Sequence, residues 1–263
     1  MDQRELDDLL EFLLDPLIVR DERLRTTLRA RAREWLARHA EPERLPRRSE
    51  RVVLGIDVSA AHGLDVVLLG TDLRPTKIAN LGIEGLERFI VDHAPDVVAI
   101  DSPPAWARTG RSRRAERDLA RLGVSAYAVP SDGLQTPFHA WMRIGFEAFL
   151  AAERAGYPRY VDGPVAHTAL EVFPYVSAVA FAGYRPKIAK ARERAEWRRT
   201  VLAQSGVDIA LLRTTDQVDA ALAALTALRS LDGNRIAVGD PDEGVIVLPI
   251  AELPEGGWPL RAA

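Results

Sequence analysis

The sequence predicts an α/β protein in which a mixed sheet is flanked by helices. Three observations carry that prediction. Arg51-Val-Val-Leu-Gly-Ile-Asp57 and Asp96-Val-Val-Ala-Ile-Asp101 are short apolar runs that each end in an acid, the pattern of buried strands. Two more strand patterns follow the first run before any helical spacing appears, which suits an antiparallel meander joined to a parallel edge. The late segment Asp216 to Leu231 is rich in Ala and Leu on nearly every side, so it is a helix buried against the sheet.

Residues 1–48 stand apart from this pattern. Leu6, Leu9, Leu10, Leu13 and Leu14, then Leu24, Leu28, Trp35 and Leu36, recur at spacings of three and four. They predict two amphipathic helices, 3–14 and 20–39, with Pro16 between them, and 41–48 reads as a linker. This N-terminal helical arm has two readings. It is a hairpin that docks on the main domain, or a dimerisation or partner-binding arm that would make the chain a homodimer. The first is favoured, because a helical face this apolar must cover something. Residues 49–263 form the second domain.

In that domain, strands are predicted at 51–57, 64–70 and 76–81. A helix over 83–93 carries Leu86, Phe89 and Ile90 on one face, and the strand 96–101 is stopped by Ser102-Pro103-Pro104. Helices follow at 112–122 and 137–155. His167 to Phe173 reads as a strand ended by Pro174. Helices then span 188–205 and 216–231, the latter with Thr214 or Thr215 as its N-cap. Residues 235–238 and 244–249 read as a terminal hairpin across Asp240-Pro-Asp-Glu.

Composition narrows the function. A net charge of −3, from 35 basic and 38 acidic residues, excludes a polybasic protein that binds nucleic acid by bulk charge. All the basic residues except Lys77, Lys187 and Lys190 are arginine, a bias better read as codon composition than as function. The absence of cysteine excludes thiol catalysis, disulfides and Cys-ligated metal sites. With five histidines a multi-His metal site is possible but not favoured, and a metal is expected on carboxylate oxygens, which suit Mg²⁺, Mn²⁺ or Ca²⁺. Leu9 to Val19 is broken by Glu11, Asp15 and Pro16, too short and polar for a signal peptide or a spanning helix, so no membrane association and a cytoplasmic location are expected.

The positions of the acids are the informative feature. Asp57 and Asp101 end buried strands, and ligands of open α/β sheets gather at the carboxyl ends of strands. Two carboxylates on neighbouring strands repel and raise each other's pKa, and a divalent cation removes that cost. Glu171 falls in a similar setting on the 167–173 strand. Asp216 and Asp219, three apart, project from one face of the last apolar helix. Each acid alone has a plainer reading: Asp216 and Asp219 as macrodipole partners, Asp57 and Asp101 as loop caps, Glu171 as an Arg-paired core acid. The ordered set favours a shared site.

Gly55-Ile-Asp57, Ala99-Ile-Asp101-Ser-Pro103, Glu171-Val-Phe-Pro174 and Asp216-x-x-Asp219-Ala220 together resemble the domain of unknown function 429 family of predicted nucleases. The stretch from Thr109 to Arg121 resembles that family's arginine-containing region, and Gly183-Tyr-Arg-Pro-Lys187 with Lys190 and Arg194 its basic segment. The resemblance covers about 51–250, outside the arm. The last helix also resembles the catalytic helix of Holliday-junction resolvases of the RuvC type. The fold implied is a ribonuclease H-like mixed five-stranded sheet, its first three strands antiparallel. One departure is the loop Val58-Ser-Ala-Ala-His62-Gly63, where family members often carry an aromatic or Gly-rich segment.

The resemblance implies metal-dependent phosphodiester hydrolysis of DNA or RNA by a two-metal mechanism. Asp57, Asp101, Asp216 and Asp219 would bind Mg²⁺ or Mn²⁺, with Glu171 a ligand or a water-orienting base. Arg111, Arg114, Arg117, Lys187 and Lys190 would bind phosphates. Two alternatives keep the fold. One is a non-catalytic nucleic-acid or protein adaptor. The other is an ATP-binding phosphotransferase of the actin or sugar-kinase kind, which the absence of a Gly-rich phosphate loop disfavours.

Overall fold

The molecule is described from a computed structural model, which covers residues 51–132 and 135–262. The predicted arm, 1–48, lies outside the described residues. Strand β1 (Val52–Ser59) turns back on β2 (Gly63–Gly70), and β2 on β3 (Pro75–Leu81), all antiparallel. This is the predicted meander. Helix α1 (Ile83–His93) carries the chain over to β4 (Val97–Asp101), which lies parallel to β1. Helix α2 (Arg114–Arg121), a single 3₁₀ turn and helix α3 (Ala140–Arg154) lead to β5 (Ala169–Glu171), parallel to β4.

After β5 the chain forms α4 (Pro174–Ala182), the short strand β6 (Arg185–Pro186), α5 (Ala191–Gln204) and α6 (Thr215–Leu231). Helix α4 is not among the elements expected from sequence, where Pro174 only ends a strand. Proline at the first helical position both ends a strand and starts a helix, because its missing N–H needs no partner there. Thr214 caps α6 as expected, its hydroxyl accepting from the Gln217 N–H at 3.1 Å. Strands β7 (Ile236–Asp240), β8 (Gly244–Leu248) and β9 (Leu260–Arg261) complete the chain, and β9 pairs with β6.

The main sheet has seven strands in the order β3-β2-β1-β4-β5-β8-β7, and the expectation of five is corrected. The terminal hairpin joins the same sheet. Every residue of Gly244-Val-Ile-Val-Leu248 is buried. A strand that apolar must be covered on both faces, so it enters the sheet beside β5 and leaves β7 as the edge. The first five strands keep the implied ribonuclease H-like arrangement: an antiparallel meander followed by two parallel strands.

Each face of the sheet has its own core. On one, Leu54, Ile56, Val98 and Ile100 pack with Leu86, Phe89 and Ala148 of α1 and α3. On the other, Val53, Val67, Val97 and Ala99 pack beneath Ala220, Ala221 and Ala224 of α6. Gly55 explains how closely α6 sits. A Cβ at this position would lie 1.9 Å from the Ala220 carbonyl oxygen and 2.4 Å from the Ala224 nitrogen. Only glycine lets the helix backbone rest on β1.

Candidate functional site

Strand register sets the geometry of the site. In the parallel β1–β4 pair, Asp57 lies level with Asp101. In the antiparallel β1–β2 pair, Asp57 lies opposite Asp65, and on β3 Asn80 lies opposite Asp65. Adjacent strands stand about 5 Å apart, so these four residues form a polar row across four strands. Side chains alternate along a strand. Asp57 and Asp101 share their face with Val53, Val97 and Ala99, and Asp65 shares its face with Val67 and Leu69, all of which pack in the α6 core. The row therefore lies on the face that α6 covers.

Helix α6 completes the cluster. Asp219 immediately precedes Ala220, whose carbonyl rests over Gly55, and Asp216 sits one turn nearer the helix start. Both bring negative charge to bear on Asp57. Burial, and then the charges of Asp219, Asp216 and Asp65, push the Asp57 carboxyl up to about 8. Asp101 is raised well above the ordinary carboxylate range, first by burial and then by Asp57 and Asp219. The hydrogen bond between these two favours the ionised form of Asp57 and the protonated form of Asp101. Burial raises Asp219 as well, opposed by Arg198. Arg198 grips both Asp219 carboxylate oxygens, Nε at 2.6 Å and Nη2 at 2.8 Å. Asp65 is raised by burial, with Asn80 opposing it by a 3.2 Å hydrogen bond.

Glu171 is placed differently. Its register partner on β4 is Ile100, and its neighbour-but-one Ala169 packs in the α1–α3 core. It therefore stands on the face opposite Asp57 and Asp101. There it is held by Arg113, whose Nη1 donates to one carboxylate oxygen at 2.9 Å and whose Nη2 donates to the other. Arg113 also binds Glu116 at 2.6 Å and is only 1% exposed. Burial raises Glu171 and Arg113 opposes it. Burial pulls Arg113 down, but Glu171 and Glu116 more than offset this. Gly244 leaves room for the pair: a Cβ there would lie 2.8 Å from Arg113 Nη1 and 3.0 Å from Glu171 Oε2.

The basic residues expected to bind phosphate are exposed and spread along the chain. Arg111 precedes α2. Arg114 pairs with Asp118 at 3.4 Å, and Arg117 donates to the Ser112 carbonyl. Lys187 follows β6, and Lys190 pairs with Glu193 at 3.1 Å beside a groove that includes Trp197. A cation that does act on the acid cluster is Arg198. Sequence reading missed Arg198, one of many arginines on a charged helix, and did not single out Arg113 within the arginine-containing stretch. It also passed over Asp65 and Asn80. A signal for Asp65 was present: a hairpin centred near residue 61 must set 57 opposite 65.

The cluster fits a hard cation in its donor chemistry. Asp57 and Asp101 are desolvated carboxyls facing each other, and among the described residues no basic group is bonded to either. Its spacing fits less well. Among the described residues no three His, Asp or Glu stand close enough to hold one ion, and Asp219 is occupied by Arg198. Among the described residues, too, no helix is long and apolar enough to cross a membrane.

Comparison with known proteins adds the following. No curated protein matches the sequence. Among solved structures the chain is similar to T. thermophilus RuvC in complex with a Holliday junction substrate, at 22% identity and a TM-score of 0.35, over 70% of this chain and 96% of that one. The family described as "Protein of unknown function (DUF429)" matches residues 17–244, a span that reaches further into the N-terminal segment than the motifs alone had indicated. On that match, the chain belongs to the DUF429 family.

Proposed function

We propose that the protein is a metal-dependent hydrolase of phosphodiester bonds in DNA or RNA. One observation carries this reading. Asp57, Asp101 and Asp219 converge on one face of the sheet with their carboxyls raised, and a single guanidinium offsets them. Burying like charges together is unfavourable unless a cation completes the set. Asp57 and Asp101 would hold Mg²⁺ or Mn²⁺, with Asp219 joining once Arg198 releases it and Asp216 at the solvent side. Bound there, the metal would supply Lewis acidity and lower the pKa of an attacking water. The chain's own groups do the rest. The sheet fixes Asp57 and Asp101 at one level, α6 packs over their face and leaves them half-buried, and Arg198 places a positive charge beside the acids.

The test is cleavage of labelled DNA and RNA by the full chain with Mn²⁺ or Mg²⁺. Asp57→Asn should lower the rate by about 1000-fold, the loss expected when several kcal/mol of metal-derived stabilisation goes. A variant as active as the wild type would refute the assignment. The Arg198 grip on Asp219 favours a second reading, a non-catalytic nucleic-acid adaptor. Calorimetric titration with Mn²⁺ separates the two, because the adaptor has no use for the ion.

A further inference from the structure

Beside Asp101, on the Glu171 side of the sheet, lies a cavity of about 190 Å³. Pockets for drug-sized molecules begin near ~300 Å³, so this one has room for a single planar ring system. Tyr127, Trp141 and Phe173 supply aromatic walls. Tyr127 is 63% exposed, with its ring 5.4 Å from that of Phe138 and 6.4 Å from that of Trp141. Large exposed aromatics grouped at the mouth of a cavity mark a binding surface.

The polar part of the wall is one-sided. Glu116 and Glu171 contribute carboxylates to it, beside the Ser102 hydroxyl. The Arg113 guanidinium between the two glutamates spends its donors on them and on the Glu243 carbonyl. The Ser102 hydroxyl donates to the Pro103 carbonyl at 3.3 Å, so what the wall mainly offers a guest is the remaining carboxylate lone pairs, which accept hydrogen bonds and repel anions. The occupant must be flat, apolar on its faces, uncharged or cationic, and lined with N–H donors along one edge. A nucleobase has this form, and guanine, with a ring N–H and an amino group on the same edge, matches a carboxylate best.

We infer that this cavity takes one unpaired nucleobase, guanine in preference, of the polynucleotide whose phosphodiester lies at Asp57 and Asp101. The inference rests on the proposed hydrolase reading and names its substrate class: single-stranded or locally unpaired nucleic acid. Stacking against Tyr127, whose ring meets Trp141 edge-on at 69°, would hold the base, and the glutamates would choose it. Asp101 lines the cavity while its carboxyl belongs to the acid cluster, which sets the base one strand end from the reacting phosphate.

The test is equilibrium binding by the full chain in EDTA, where no metal-dependent cleavage occurs. The probes are a fluorescent single-stranded oligothymidylate with one central guanine, the same oligomer without it, a blunt duplex, and guanosine monophosphate. The guanine oligomer should bind about tenfold tighter than the all-thymine one and the duplex. Tyr127→Ala, at an exposed position, should remove that preference without changing the melting temperature, and Trp141→Ala, at a half-buried one, should remove it while the protein stays folded. Binding of guanosine monophosphate as tight as that of the oligomer would keep the base chemistry but assign the cavity to a free nucleotide. Equal binding of all probes, no binding, or a preference that survives both variants would overturn the inference. Should Mn²⁺-dependent cleavage persist while the preference is absent, this inference alone falls. Should the preference hold while wild-type protein cleaves nothing, the hydrolase reading falls and the base pocket stands.

Discussion

Asp57 and Glu171 are both acids on central strands, near the same end of the sheet, and burial raises both. They stand on opposite faces, and the two faces meet the cost differently. Around Glu171, the core places a guanidinium, Arg113, in direct contact with both Glu171 and Glu116. Around Asp57, the fold places Asp65, Asp101, Asp216 and Asp219, with Arg198 committed to Asp219. The first cluster is closed by its own cation. Among the described residues the second sets one guanidinium, held by Asp219, against its acids and leaves a demand that a ligand can meet. The lesson is that a buried acid reports function only when its partners are known.

Removing the internal cation should break the first cluster most severely. Arg113→Ala would leave two buried carboxylates unpaired and should cost about 3–5 kcal/mol in urea unfolding. A cost below ~1 kcal/mol would mean that Arg113 does not close this cluster. Gly55→Ala acts on the second cluster through the backbone. Its Cβ must push α6 away from β1, which should cost about 1–3 kcal/mol and weaken divalent binding by moving Asp219. Unchanged stability and metal affinity would show that α6 does not need this contact.

Arg198→Ala probes whether the second cluster is short of ligands. Freeing Asp219 should tighten Mn²⁺ binding about tenfold, or ~1.4 kcal/mol, by calorimetry. Weaker binding would make Arg198 part of the site rather than a competitor for Asp219. The smallest effect is on pH dependence. An acid whose folded pKa is raised contributes stability that is whole below its unfolded value and is lost as pH climbs through the folded value. For Asp57 that window runs from 3.8 to about 8. Without divalent metal, the wild-type melting temperature should therefore fall across this window. Asp57→Asn should flatten the fall and gain a few degrees at pH 8, measured by calorimetric melting. A variant with the same slope would show that Asp57 is not the strained acid.

Much of the fold was legible. Strands β1 to β4 and helix α6 followed from apolar runs and period alone, because local pattern decides such elements. The sheet's width was not, since β8 joins β5 through a contact between residues far apart in sequence. Of the five acids proposed for one site, Asp57, Asp101, Asp216 and Asp219 are brought together. Glu171 shares their position near a strand end but not their face, and one residue of register decides which face a side chain takes.

The sequence by itself determined that acids cap apolar strands and begin an apolar helix, and that no cysteine competes with oxygen for a metal. Those are properties of neighbouring residues along the chain. Only the tertiary structure decided which acids receive an arginine. That choice depends on pleat, register and the glycine that lets α6 touch β1. Arg113 and Arg198 look alike in sequence. One sits sealed among glutamates, while the other holds a carboxylate at the edge of an acid cluster, and packing alone distinguishes them.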